Sequence, residues 1–124
     1  YNMDSEKIEL LNSLNARYEM FTEQFKLIEQ QISELVLFDE ELKVIESKKG
    51  EKMLVQIGKS VFAPIKIEGD EKLLVDVGAG YFVNKKLDEV KLVVSEQKNR
   101  LESFKIQVSS EIGRVTEELQ RLVV

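Results

Sequence analysis

Along the first part of the chain Leu11, Leu14, Tyr18, Phe21, Phe25, Ile28, Ile32, Leu35 and Leu42 recur at alternating steps of three and four. Asp39 is the single polar residue in that series. A period near 3.5 held over more than four heptads keeps one apolar stripe turned toward a partner helix, the pattern of a coiled coil. Neither Gly nor Pro interrupts the run before Gly50. A helix over residues 4–46 would be about 65 Å long at ~1.5 Å per residue. Its partner must run beside it.

That partner is predicted over 87–124, where Leu87, Val90, Val94, Leu101, Phe104 and Val108 continue the same steps, with Gln97 as a polar interruption. Ile112, Val115, Leu119 and Leu122 follow after two successive steps of four, and such a stutter locally unwinds a left-handed supercoil. Gly113 lies in the same stretch, and an interior glycine costs about 1 kcal/mol relative to alanine. The far part of this helix is therefore expected to be the looser one. The chain folds back between the segments, so the helices should be antiparallel, with Glu46 beside Leu87 and Glu9 near Val124.

Between the helices the period changes to two. Met53, Val55 and Ile57 alternate with Leu54 and Gln56, and Leu73, Val75 and Val77 alternate with Leu74 and Asp76. Turn residues punctuate the runs at Gly58-Lys59-Ser60, Gly69-Asp70 and Gly78-Ala79-Gly80. Strands are predicted near 53–57, 60–67, 73–77 and 81–84, within a hairpin region of 52–84, and Pro64 requires an edge or a bulge. Asn84 is the predicted N-cap of the second helix, with Asp88 and Glu89 suited to its first turn. The fold class is α+β, a single domain: a long two-helix coiled coil carrying two central β-hairpins.

Four strands of about five residues cannot enclose a core. Their Val, Ile, Leu and Phe side chains and free edges call for other chains, so assembly through the hairpins is expected before any family is considered. Val55, Ile57, Phe62, Ile65, Val75, Val77, Tyr81 and Val83 are the candidate assembly residues, and Leu37 and Phe38, off the heptad stripe, are placed beneath the hairpins.

Composition removes several functions. The chain has no Cys, His or Trp, which leaves no zinc site of the usual kind, no thiol nucleophile and no imidazole base. No apolar run approaches the ~20 residues that span a bilayer, and no charged-then-apolar leader opens the chain, so a soluble, cytoplasmic protein is expected. The net charge of −5 divides unevenly: −7 over 4–46, +3 over 47–86 and −1 over 87–124. Phosphate binding needs a clustered basic face, and nucleic acid is not an expected partner. Gly78-Ala79-Gly80 is superficially like a phosphate-binding turn, yet it enters a strand and lacks a third glycine. The carboxylate pairs Asp39-Glu40 and Glu117-Glu118 point about 100° apart on a helix, as solvated side chains do. No catalytic constellation is present, and neither an enzyme nor a cofactor is expected.

The stretch Met53-Leu-Val-Gln-Ile-Gly-Lys-Ser-Val-Phe-Ala-Pro-Ile-Lys-Ile67 with Lys72-Leu-Leu-Val-Asp-Val-Gly-Ala-Gly-Tyr-Phe-Val-Asn-Lys-Lys86 resembles the double hairpin of an α-class prefoldin subunit. The Val-Gly-x-Gly-Tyr-x-Val part, Val77 to Val83, is its most specific piece, and two hairpins instead of one favour the α class. Asn84 replaces an acidic residue common in relatives. The family's polar C-terminal tail is missing and Tyr1-Asn2 precede Met3, as in a trimmed chain. The resemblance implies a hexamer of two α-class and four β-class subunits joined through β-barrels. It implies an ATP-independent chaperone that grips non-native polypeptides with its coiled-coil tips and passes them to a group II chaperonin.

On that reading the client-binding residues lie at the free ends of the helices: Ile8, Leu10, Leu11 and Leu14, with Val115, Leu119, Leu122, Val123 and Val124. Leu11, Leu14, Val115, Leu119 and Leu122 also fit the seam between the helices, whereas Leu10 and Val123 lie off it. Two alternatives remain open. One is a coiled-coil scaffold or adaptor assembled through its hairpins with inert tips. The other is an RNA-contacting coiled-coil arm of a larger enzyme, which the charge disfavours.

Overall fold

The computed structural model describes residues 2–68 and 72–123. The order of elements is α1 (Asn2–Ser47), β1 (Lys52–Gly58), β2 (Val61–Lys66), β3 (Lys72–Gly78), β4 (Tyr81–Lys86) and α2 (Leu87–Val123). Both predicted helices and all four strands are present. The predicted turn at Gly69-Asp70 and the tip residue Val124 lie outside the described residues.

The chain divides into two compact units, Tyr1–Glu34 with Lys98–Val124, and Leu35–Gln97. In the first unit Leu14 and Val115 are fully buried, and Leu11, Phe21, Phe25, Ile28 and Ile32 are half-buried, as the stripe on α1 requires. Tyr18 shares the spacing but stays 40% exposed, which suits an amphipathic ring with a polar tip.

On α2 the stripe differs from the expected one. Phe104 is 53% exposed, and Lys105 takes the seam position instead. The Lys105 ammonium lies 5.5 Å from the centroid of the Phe25 ring and 3.7 Å from a Glu29 carboxylate oxygen. Its alkyl stem can cover apolar surface while the charged head reaches the ring face and the carboxylate, so lysine fits where period alone favours phenylalanine. With Lys105 in place, the covered positions Leu101, Lys105, Val108, Ile112, Val115, Leu119 and Leu122 alternate steps of four and three without a stutter. The stutter expected beyond Val108 is accordingly not found among these covered positions. The helix continues to Val123, and a Cβ added at Gly113 would meet nothing within 4 Å.

The second unit has its own core. Leu42, Leu87 and Val94 are buried together, with Leu35, Leu73 and Val90 packed against them. Leu73 carries the second hairpin into this cluster. Where α1 ends, the Lys48 amide donates to the carbonyls of Val44 and Ile45, and Gly50 adopts φ 79° just beyond. A glycine in this left-handed region is a usual helix stop. The Gly50 amide then donates to the Ile67 carbonyl at 2.6 Å, and the Ile67 amide to the Glu51 carbonyl at 3.1 Å. These bonds anchor the end of the first hairpin to the end of α1.

Asn84 is not the N-cap. It belongs to β4, opposite Leu74, and the strand runs to Lys86 with α2 starting at the next residue. Asp88 and Glu89 do lie in the first turn of α2, where carboxylates offset the positive end of the helix dipole. Pro64 is tolerated in β2 because each sheet has only two strands and every strand is an edge.

The hairpins repeat one another. Pairs Lys52↔Lys66, Leu54↔Pro64, Val55↔Ala63 and Gln56↔Phe62 recur 20 positions later as Lys72↔Lys86, Leu74↔Asn84, Val75↔Val83 and Asp76↔Phe82. Both registers shift before the turn, between Gln56 and Gly58 and between Asp76 and Gly78. The turns themselves differ in strain. Gly78, Ala79 and Gly80 all have positive φ (104°, 53° and 80°), whereas the first turn holds only Ser60 there, at 59°. At Gly78 the constraint is purely conformational, since an added Cβ would meet nothing within 4 Å. The Asp76 carboxylate supports this turn by accepting a hydrogen bond from the Gly78 amide at 2.9 Å.

Candidate functional site

Side chains alternate across a strand, so each hairpin has two faces. The inner face of the first carries Met53, Val55 and Ala63, all half-buried; that of the second carries Leu73 and Val75, also half-buried. The outer faces are apolar and open. Leu54 is 65% exposed and Leu74 70%, while Phe62 and Phe82 are 54% and 61% exposed. Ile57, Val61, Val77 and Tyr81, next to the turns, are exposed as well. Large apolar side chains are thus gathered on two small sheets with free strand edges beside them.

Of the eight assembly candidates taken from the sequence, Ile57, Phe62, Ile65, Val77, Tyr81 and Val83 are exposed, whereas Val55 and Val75 face inward. Sequence reasoning missed Leu54, Leu74 and Phe82. The repeat was the available signal, because it shows Leu and Phe returning at the same register in both hairpins.

Beside the second hairpin an apolar hollow of about 290 Å³ is lined by Val75, Lys85, Glu89, Val90, Leu92 and Val93. The Lys85 ammonium and Glu89 carboxylate stand 3.8 Å apart at its edge. Nearby, the Lys91 ammonium donates to the Glu46 carboxylate at 2.7 Å, tying the start of α2 to the end of α1 within this unit. Glu46 was expected beside Leu87, and its partner is one turn further along. This hydrogen bond, reinforced by the charges, holds the Glu46 carboxyl below the usual carboxylate range and raises Lys91 above the usual lysine value. The Glu46 contribution is present above the ordinary carboxylate range and lost as pH falls through the lowered pKa; that of Lys91 is lost as pH rises through the raised one. The pair is thus intact throughout the neutral range. Leu37 and Phe38, expected beneath the hairpins, are 60% and 40% exposed.

The helix ends in the first unit form the second candidate site. Leu14 and Val115 fill the interior, and Leu11, Leu119 and Leu122 are half-buried. Ile8, Leu10 and Val123 are 57%, 47% and 73% exposed. Among the described residues no group of three His, Cys, Asp or Glu could hold a metal ion, and no helix is long and apolar enough to cross a membrane.

Two long helices flanking two antiparallel β-hairpins with open apolar faces define the class of fold. The family model for prefoldin subunits matches residues 14–124, and the chain belongs to the prefoldin family. It is 38% identical over 55 residues to prefoldin subunit 5 of Arabidopsis thaliana, across 44% of this chain and 36% of that protein. It is 42% identical over 40 residues to probable prefoldin subunit 5 of Dictyostelium discoideum, across 32% of this chain and 25% of that protein. The matches thus cover about a third or less of those relatives' lengths. Subunit 5 is an α-class subunit, in agreement with the double hairpin. The fold also matches a chain of filamentous PFD from Methanocaldococcus jannaschii, solved by cryo-EM, with a TM-score of 0.74 over 93% of this chain and 96% of that one at 19% identity.

Proposed function

We propose that this chain is an ATP-independent chaperone subunit working in the cytoplasm within a hexamer of two α-class and four β-class prefoldin subunits. In it, the hairpins of neighbouring subunits close into β-barrels, and the helix ends bind non-native polypeptides for transfer to a group II chaperonin. Neither catalysis nor a cofactor enters this reading. Nor does it divide the chain: residues 1–124 act as one prefoldin domain.

The observation that carries the chaperone reading is the spare apolar surface at the helix ends. Leu14 and Val115 already fill the interior there, so Ile8, Leu10 and Val123 are exposed without a packing role. Such surface suits weak contact with extended, unfolded chains. Several helix ends held in one assembly would convert weak contacts into useful avidity without a sequence-specific pocket. Leu11, Leu119 and Leu122, half-buried on the same helix ends, belong to this reading as well.

Replacing Ile8, Leu10 and Val123 together with serine should leave assembly intact but raise the hexamer concentration needed to suppress aggregation of a denatured client by about tenfold or more, since linked weak contacts multiply through avidity. Light scattering with and without the substitutions measures this. Unchanged suppression would transfer the role to another surface and favour the alternative of a coiled-coil scaffold or adaptor assembled through its hairpins.

A further inference from the structure

One side of the helix pair in the first unit carries large apolar residues that packing within the unit does not account for. Leu10, Met20 and Leu27 on α1 and Phe104 on α2 are between 47% and 57% exposed. Each stands one residue before a covered seam residue, namely Leu11, Phe21, Ile28 and Lys105. One residue turns a helix by about 100°, always in the same sense. In an antiparallel pair that turn leads to the same side of both helices. Lys105 meets Phe25 and Glu29, which sets Phe104 beside the turn of α1 that carries Leu27. The other side of α1 is polar, for Asn15, Glu19, Thr22, Lys26 and Glu29 follow the seam residues there. On the apolar side Gln24 and Gln31 alternate with Met20 and Leu27, where a coiled coil usually carries Glu or Lys. Arg17 is the only charge among the α1 residues at this spacing from Leu10 to Gln31.

We propose that this side is a second client contact, a track for one extended, apolar, uncharged segment of a non-native polypeptide. The proposal rests on the client-binding reading above and adds contacts well inside the helix ends. Size argues against a folded partner. Four half-exposed side chains bury on the order of a few hundred Å², against ~1,200 Å² for a stable contact between folded proteins. Shape argues for an extended one. Leu10 to Leu27 spans ~25 Å at ~1.5 Å per residue of helix, a length that about eight residues of extended chain cover at ~3.3 Å each. Charge sets the composition of that segment. An ionised client residue laid on Met20, Gln24, Leu27 and Gln31 would give up hydration without gaining an opposite charge. Leu10 joins the track to the helix ends, so a segment held there can continue along the pair and bind more firmly than a shorter apolar run.

The test places a photo-crosslinking amino acid at Gln24 or, at the same level on the polar side, at Lys26, in the full chain assembled with β-class prefoldin subunits. A third site, Glu9 at the helix ends, reports on the client reading itself. The client is a carboxymethylated, permanently unfolded polypeptide. Crosslinks from Gln24 should exceed those from Lys26 severalfold. A Met20→Gln/Leu27→Gln/Phe104→Gln variant, checked for native helicity and native mass, should abolish the Gln24 excess while crosslinks from Glu9 persist. It should also raise the hexamer concentration needed to suppress aggregation by about tenfold or more, since three apolar contacts are removed at once. Equal yields from Gln24 and Lys26, or suppression by the variant within twofold of wild type, would overturn the inference while crosslinks from Glu9 left the helix ends as the client site. Absence of client crosslinks from Glu9 and Gln24 alike would instead remove the client reading and this inference with it.

Discussion

Replacing Leu42 with alanine is expected to cost about 2–5 kcal/mol of stability in the unit Leu35–Gln97, the range for truncating a fully enclosed leucine. Leu42 is 1% exposed and packs in one cluster with Leu87 and Val94, while Leu35, Leu73 and Val90 line its outside. Leu73 extends from β3, so the void would loosen the seat of the second hairpin as well as the helix contact. A unit this small has few other buried side chains to compensate. The informative comparison is Phe104→Ala. The heptad count assigns Phe104 to the seam, but at 53% exposure it should cost less than about 1 kcal/mol. Urea unfolding followed by circular dichroism separates the cases, and equal losses would show that spacing, not burial, governs the helix contact.

Aspartate at both Leu54 and Leu74 should have the opposite profile. These side chains are 65% and 70% exposed in the single chain, so its melting temperature should hardly change. Assembly should fail, because each carboxylate would have to be stripped of water inside a subunit contact without a designed partner. A combined penalty of about 3 kcal/mol or more would weaken association over a hundredfold. Native mass spectrometry of the variant mixed with β-class subunits measures it. Normal hexamers at normal concentrations would show that the outer faces are not covered on assembly and would shift the contact to the inner faces.

The helices and strands were legible because their periods are long or sharply punctuated. The stripe on α1 survives almost residue for residue, and the glycines at 58, 78 and 80 sit where the strands end or turn. Two errors share a cause: a pattern records residue type, not how far a side chain reaches. Lys105 joins the seam through its alkyl stem and its contacts with Phe25 and Glu29, and counting hydrophobic letters gives that place to Phe104. Asn84 has the chemistry of a cap, but its backbone pairs with Leu74, and the strand passes into α2 without a loop.

The outer faces were hidden for a different reason. In Met53-Leu54-Val55 and Leu73-Leu74-Val75 consecutive residues are all apolar, so alternation alone cannot say which face meets the helices. Packing of Leu73 against the Leu42 cluster settles this for the second hairpin and leaves Leu74 outside. At the helix ends, Leu10 and Val123 could be separated from Leu14 and Val115 by spacing, because there the stripe is narrow and its interior positions are few.

The most direct test of the account is the native mass of this chain alone and after mixing with a β-class prefoldin subunit. The expected result is a two-plus-four hexamer that forms only in the mixture. A stable dimer of this chain, indifferent to the added subunit, would contradict it.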